Sequence, residues 1–463
     1  MNGNTPSYKI VSLVAVLAAG GFSSSANAAG FALIEQSASG LGNAYAGGAA
    51  AIDDASVQFF NPAALTEVAG TQTSIAGHYI MPRSNLSNAS ATRVTLGNVP
   101  YTGTIDDAGV KGFVPNFYYS RDINTNLKFG LGINVPFGLS TEYDETSIAR
   151  YHGLKSAVES VNINPALAFK LNDRLSLGAG VSAQYLKAEL TTAVDSASAC
   201  LVAQALGQVP AGTCSAVGLG TTPANQSVDS YAKVEGDDWS YGFNVGLLYK
   251  PMDAMRLGLA FRSSIKQNLQ GEATFIRSAA FNTFLNAVGS QAFTTTADSA
   301  DIELPASISL SMAHGFSPQI EILGDITWTE WSKFHELRVT FANPAQPAAV
   351  TTENWDNTFR YSVGMSYKLN DRMKLRTGLA LDKSPIPDPQ QRTPRIPDND
   401  RTWLAFGLTH TSSSNLSFDL GYAHLFVKDS TIDNTTEGSI KYNLKGSYEN
   451  SVNILSAQLN YKF

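Results

Sequence analysis

Few residues in this chain have the type and spacing for covalent chemistry. Its six histidines are scattered. No G-x-S-x-G elbow, the strained turn that presents a nucleophilic serine, occurs. His410 and His424 share one parity in successive apolar runs, a lone hint of an outer-membrane lipase. Enzymatic activity is therefore not expected, and neither a cofactor nor a metal is called for. Cys200 and Cys214 flank a small-residue segment. In an oxidising compartment they would form one disulfide closing a surface loop. Free thiols or a metal pair are the weaker alternatives, since no histidine cluster lies nearby.

Binding chemistry is better supplied. Arg256, Arg262, Arg360, Lys374 and Arg376 fall on the polar parity of runs whose other face is apolar. A carboxylate carried into a low-dielectric interior needs such a positive partner. The same parity holds Glu303, Glu321, Asp325 and Asp382, so internal ion pairing is the alternative for each cation. Arg262 and Arg360 lie several residues from the nearest tight turn and are the preferred contacts for an anionic ligand.

The elements that position these residues repeat with period two. From Leu127 to Val135, Leu127, Phe129, Leu131, Ile133 and Val135 share one face, against Lys128, Gly130, Gly132 and Asn134. Similar alternation covers 161–171, 239–249, 256–262, 303–312, 320–328, 359–368, 374–382 and 416–426. Weaker runs at 71–81, 113–121, 175–187, 401–410 and 448–463 bring the total to about fourteen strands, an even number of antiparallel segments. Tight turns at 172–174, 251–254, 370–371 and 412–415 alternate with long connections at about 81–112, 188–237, 270–301 and 382–400. Short turns on one side and long loops on the other mark an outer-membrane β-barrel. A soluble β-sandwich also alternates, but it does not explain long strands with a polar, Gly-rich second face.

Ahead of the strands, Gly30 to Gly70 is rich in Gly and Ala and too poor in bulk to build its own core. It reads as a plug, or hatch, enclosed by the wall that follows. Within it Asn61 can cap the next turn, with Pro62 at the first helical position. Residues 1–28 carry one Lys, an apolar run from Ile10 to Ala19 and the ending Ala26-Asn27-Ala28. That is a secretory signal peptide, too short in its apolar run for a membrane-spanning helix of about 20 residues. The expected organisation is signal peptide 1–28, hatch 29–70 and barrel 71–463. The net charge of −7 and a pI near 5.4 argue against nucleic acid as a partner. The final run, Leu455, Ala457, Leu459, Tyr461 and Phe463, ends on an aromatic residue, as strands read by the barrel assembly machinery do.

An ordered set of segments resembles the FadL family of Gram-negative outer membranes, which move long-chain fatty acids and other hydrophobic compounds. It comprises Gly40-Leu41-Gly42 with Ala44-Tyr45, Asp53-Asp54, Asn61-Pro62-Ala63 and Gly138-Leu139-Ser140-Thr141-Glu142-Tyr143. Ser384-Pro385-Ile386-Pro387 and Ile396-Pro397-Asp398-Asn399-Asp400-Arg401-Thr402-Trp403 complete it. The resemblance implies a fourteen-stranded barrel closed by an N-terminal hatch. Substrate would enter an outer groove, pass to an interior pocket and leave sideways into outer-membrane lipid at a kinked strand. Phe59, Phe60, Asn61 and Pro62 would then form the moving gate, a plain helix cap being the alternative. Pro136, Phe137 and Gly138 would form the lateral opening, since Pro removes a ladder donor, unless this is an ordinary strand end. Lys187 occupies a place that looks like a basic ligand contact of the family, although it falls on the apolar parity of its run. Either a bulge turns it inward or it snorkels at the membrane edge. Phe275, Phe281 and Phe284 cluster in a long loop and would line the outer groove on an amphipathic helix, or else pack against a neighbouring loop. Passive uptake of fatty acids is the leading expectation. Aromatic-hydrocarbon uptake is the close alternative, and a general porin the more distant one.

Overall fold

A computed structural model describes residues 30–95 and 97–463. The signal peptide expected at 1–28 lies outside the described residues. Alternation becomes wall throughout: fourteen antiparallel strands close into a barrel. They are β1 (Gln72–Arg93), β2 (Gly112–Asp122), β3 (Leu127–Asn134), β4 (Lys155–Lys170), β5 (Leu175–Val194), β6 (Ser230–Met252) and β7 (Met255–Arg262). The circuit continues with β8 (Ser307–Gly315), β9 (Ile320–Thr329), β10 (Thr358–Lys368), β11 (Met373–Asp382), β12 (Arg401–Thr411), β13 (Leu416–Val427) and β14 (Tyr442–Lys462). Each pairs with the next, and β14 returns to β1 from Gln72↔Lys462 to Arg93↔Tyr442. Outward residues such as Val181, Tyr241, Leu310 and Val363 are more than half exposed. An apolar belt of this extent is stable only against lipid.

The strands run further outward than the alternation suggests. Residues 188–194 and 230–237, expected as loop, continue the β5–β6 ladder to Val194↔Ser230. Residues 270–276 and 296–301 likewise pair as strand. Above the membrane neither face of the wall meets lipid, so the ladder persists while its period-two signal disappears.

The hatch fills the lumen with short helices, α1 (Ala38–Gly42) and α2 (Val57–Phe60), and a 3₁₀ turn at Pro62–Glu67. Asn61 Oδ1 accepts from Ala63 N at 3.0 Å, the expected cap. The Gly-rich inner face of the wall now has a cause, because the hatch backbone lies directly on it. A Cβ on Gly246 would sit 1.9 Å from Asn61 Oδ1, one on Gly258 2.0 Å from Ala49 O, and one on Gly378 2.1 Å from Asn43 O. Charge completes the seat. Residues 30–70 contain Glu35, Asp53, Asp54 and Glu67 and no Lys or Arg. The wall answers with Lys374 and Arg376 on Asp53 at 2.7 and 3.0 Å, and Lys250 on Glu67 at 2.8 Å. Arg256 Nε donates to Ala50 O at 2.9 Å, and Lys128 Nζ donates to Val68 O.

One seam of the wall is incomplete. Gly112–Asn116 of β2 pair with β1, but β2 meets β3 only from Phe117↔Ile133 to Asp122↔Lys128. The chain leaves β3 at Asn134, passes through Val135-Pro136-Phe137, and rejoins β4 as a short strand, Gly138–Glu142. The first hatch residues lie along this interruption: Leu33 N donates to Pro136 O at 2.8 Å and Gly138 N to Phe31 O at 2.9 Å. Asn116 bridges the rest, accepting from Val135 N at 3.2 Å and donating to Glu35 O at 2.8 Å. Gln36 Nε2 donates to both Leu33 O and Val135 O at 3.0 Å. On the lipid side the seam opens into an apolar groove of about 620 Å³ lined by Phe113, Phe117, Tyr185, Trp239, Phe418 and Leu459.

Candidate functional site

Strand register sets two inward-facing rows side by side on the wall. One runs Asn244, Arg262, Ser307, Thr329, Thr358 across β6, β7, β8, β9 and β10. The next runs Ala260, Ser309, Thr327, Arg360, Asp382, from β7 to β11. Facing these rows, the hatch contributes Leu33, Phe59, Phe60 and Pro62, and the incomplete seam contributes Pro136 and Phe137. Together they enclose a mainly apolar cavity of about 150 Å³. Residues distant in sequence thus converge: both preferred arginines, most of the expected gate and most of the expected lateral opening line one space.

The cations differ in how they are satisfied. Arg256 pairs with Glu321 at 2.5 Å, and Arg376 with Asp53 and Asp419 at 3.0 and 3.1 Å. For these and Lys374, ion pairing is the outcome, although the hatch supplies Asp53. Arg262 is different: among the described residues no carboxylate lies within 4.0 Å of it. Its Nη2 donates to Phe59 O at 2.8 Å, and its guanidinium sits 4.4 Å from the Phe59 ring centroid. Arg360 is intermediate. It donates to Ala44 O at 2.8 Å, stands 5.1 Å over Trp403, and reaches Asp382 only at 4.0 Å. Its Nε and Nη1 are buried without a hydrogen-bond partner. An incoming carboxylate would find donors at both.

A second, smaller cavity of about 60 Å³ lies outward of the first, walled by Leu139, Val158, Leu186, Ile302 and Phe334 and carrying Arg395 and Glu353. Arg395 Nη1 donates to Ser156 Oγ at 2.9 Å, and burial lowers its pKa to about 10. Burial pushes the Glu353 carboxyl up to about 8, with Trp355 Nε1 donating to it at 3.0 Å. An aromatic cluster divides the two cavities. The Phe31 ring lies 5.0 Å from Trp331, 5.5 Å from Phe334 and 5.9 Å from both Phe137 and Trp355. None of Phe31, Trp331, Trp355, Glu353 or Arg395 was singled out by the sequence patterns. Their convergence is long-range, and no local spacing announces it.

Two expectations are corrected. Lys187 stands on the outer face of β5, opposite Glu159 of β4 and Asp237 of β6. The ladder shows no register shift there, so parity holds and the side chain lines neither cavity. Phe281 and Phe284 do lie on a helix, α3 (Ala279–Ala287), but both are buried in an outer lobe beside the Cys200–Cys214 disulfide rather than lining a groove. Phe275 packs on Phe293 and Phe341. Aromatic residues in a long loop had a core of their own to fill, and packing against neighbouring loops is what they do. Among the described residues no hydrogen bond joins His410 or His424 to a Ser, Thr or Cys side chain; His424 Nδ1 bonds Asn453 Oδ1 at 2.9 Å.

A family profile described as outer membrane protein transport protein (OMPP1/FadL/TodX) matches residues 20–463. The chain belongs to this family. Its members are transporters and channels of the outer membrane rather than enzymes. Outer membrane protein P1 of Haemophilus influenzae is 31% identical over 97% of each chain. The long-chain fatty acid transport protein of Escherichia coli K12 is 30% identical over 92% of this chain and 93% of that one. The crystal structure of a Pseudomonas aeruginosa FadL homologue superposes with a TM-score of 0.82 at 25% identity, covering 94% of this chain and all of that one. The Pseudomonas putida toluene transporter TodX shares the fold, with a TM-score of 0.67 at 18% identity over 94% and 99% of the two chains.

Proposed function

We propose that this outer-membrane barrel takes up long-chain fatty acids passively. The ligand descends from the outer loops to the cavity under Arg395, passes the aromatic cluster around Phe31, and presents its carboxylate to Arg262 and Arg360. It then leaves sideways through the β2–β3 seam into lipid. The observation that carries this reading is Arg262: a half-buried guanidinium with no carboxylate partner among the described residues, in an apolar cavity that touches both hatch and seam. Burying an unpaired charge is costly, so such a cation makes sense where an anionic ligand completes it. The acyl tail stays covered by apolar side chains, as its area requires. Phe59, Phe60, Asn61 and Pro62 transmit occupancy to the hatch. The C-terminal strand ending at Phe463 serves as the signal to the assembly machinery.

The test is uptake of oleate against toluene in cells and proteoliposomes. The double variant Arg262→Ala, Arg360→Ala is expected to lose oleate affinity by roughly 10- to 100-fold, the worth of charge-assisted hydrogen bonds, and to keep toluene flux. Equal loss of both would refute the carboxylate assignment and favour hydrocarbon uptake.

A further inference from the structure

The wall between the two arginines is more polar than an alkyl chain requires. In the row that begins at Arg262, the next three inward positions on adjacent strands are Ser307, Thr329 and Thr358, and all three line the cavity. In the neighbouring row both hydroxyls are satisfied: Ser309 and Thr327 share a hydrogen bond of 2.7 Å, and Thr327 donates to Asp325 at 2.8 Å. Among the described residues the hydroxyls of Ser307, Thr329 and Thr358 have no such partner. Thr358 is nevertheless buried, at 7% exposure. The row spans three strand spacings from Arg262 to Thr358, on the order of 14 Å, and Thr358 stands two residues before Arg360 on the same strand.

Resting on the fatty-acid reading above, we propose that this cavity selects oxygenated acyl carboxylates, ligands with a hydroxyl on the hydrocarbon chain, and that Ser307, Thr329 and Thr358 are the selecting residues. A plain chain laid along the row would strip water from three hydroxyls and return nothing. A ligand carrying its own hydroxyl replaces that water. A site built to hydrogen-bond a hydroxyl discriminates strongly against an analogue lacking it, whereas an apolar pocket distinguishes the two weakly. Either arginine can hold the carboxylate, because the hydroxyl row leads from one to the other. A mid-chain hydroxyl falls on the row in both orientations.

The experiment measures binding of 10-hydroxyoctadecanoate and octadecanoate to the full barrel in nanodiscs, by calorimetry and by quenching of tryptophan fluorescence, since Trp331 lines the cavity. Wild type is expected to favour the hydroxylated ligand by about tenfold or more. The variant Ser307→Ala, Thr329→Val, Thr358→Val should bind the two ligands with equal affinity. Thr329→Ser, which retains the hydroxyl, should keep the preference. Heat-modifiable migration on gels verifies that each barrel is folded. Equal affinities in wild type, or a preference that survives the triple variant, would overturn the proposal. The parent reading fails separately: the double variant Arg262→Ala, Arg360→Ala with no effect on either ligand refutes the carboxylate contact while leaving the hydroxyl comparison intact.

Discussion

Gly258 offers the sharpest perturbation of the hatch. It faces inward on β7, and a Cβ there would lie 2.0 Å from Ala49 O and 2.5 Å from Ala49 C. An ordinary carbon–oxygen contact is about 3.3 Å, so Gly258→Ala drives the hatch backbone off the wall by more than an ångström. Ala49 cannot give way cheaply. Its N–H donates to Ser311 Oγ at 3.0 Å, and its carbonyl accepts from Asn61 Nδ2 at 2.8 Å. Overpacking costs roughly 1–3 kcal/mol, and each hydrogen bond lost adds about 1 kcal/mol. A total near 3 kcal/mol raises the fraction of unseated hatches by over 100-fold, at about 1.4 kcal/mol per tenfold. The assay is conductance in planar bilayers, where a seated hatch passes little current and an unseated one opens the lumen. Gly324 is the built-in control, because a Cβ there meets nothing within 4 Å. If Gly258→Ala stays as silent as wild type, or Gly324→Ala leaks equally, close hatch–wall contact is not what closes this barrel.

Other predictions address the outer lobe and its chemistry. Replacing Cys200 and Cys214 by Ser removes a bridge with a sequence separation of 14 residues, costing about 3 kcal/mol on chain-entropy grounds. Limited proteolysis should then cut the lobe while barrel gel mobility is unchanged. Glu353, with its folded pKa raised to about 8 from 4.5, holds its proton in the folded protein where the unfolded chain has lost it. Packing around it is therefore most stable below about pH 4.5, weakens as pH rises to about 8, and is level above. Glu353→Gln should flatten that dependence in protease-protection measurements, and an unchanged slope would refute the assignment.

Much of the barrel was legible because lipid outside and a packed lumen inside force strict alternation on β3, β4 and β10, and parity alone placed Arg262 and Arg360 inward. The polar, Gly-rich parity was visible too, but not its reason, because contact of Gly246 and Gly258 with a segment some 200 residues earlier leaves no local trace. Where the environment stops being lipid, as at 188–194, the pattern fades although the strand continues. At Lys187 the family likeness pointed inward and the parity outward, and the side chain follows the parity. Phe281 and Phe284 show that an apolar cluster in a loop can be the core of a small lobe rather than a surface for ligand.

Phe31 belongs to two barriers at once. Its ring helps form the floor of the outward cavity, and its carbonyl accepts from Gly138 N at the broken seam. The anchored remainder, from Asp53 to Val68, is tied to the opposite rim by basic side chains. On the proposed route, lifting residues 31–33 would drop the floor and unseal the side of the cylinder in a single stroke, while the axial bore stays blocked. Cargo taken up by that route would reach the lipid without the cell ever exposing a through-hole to salt water, and would need no fuel beyond its own push.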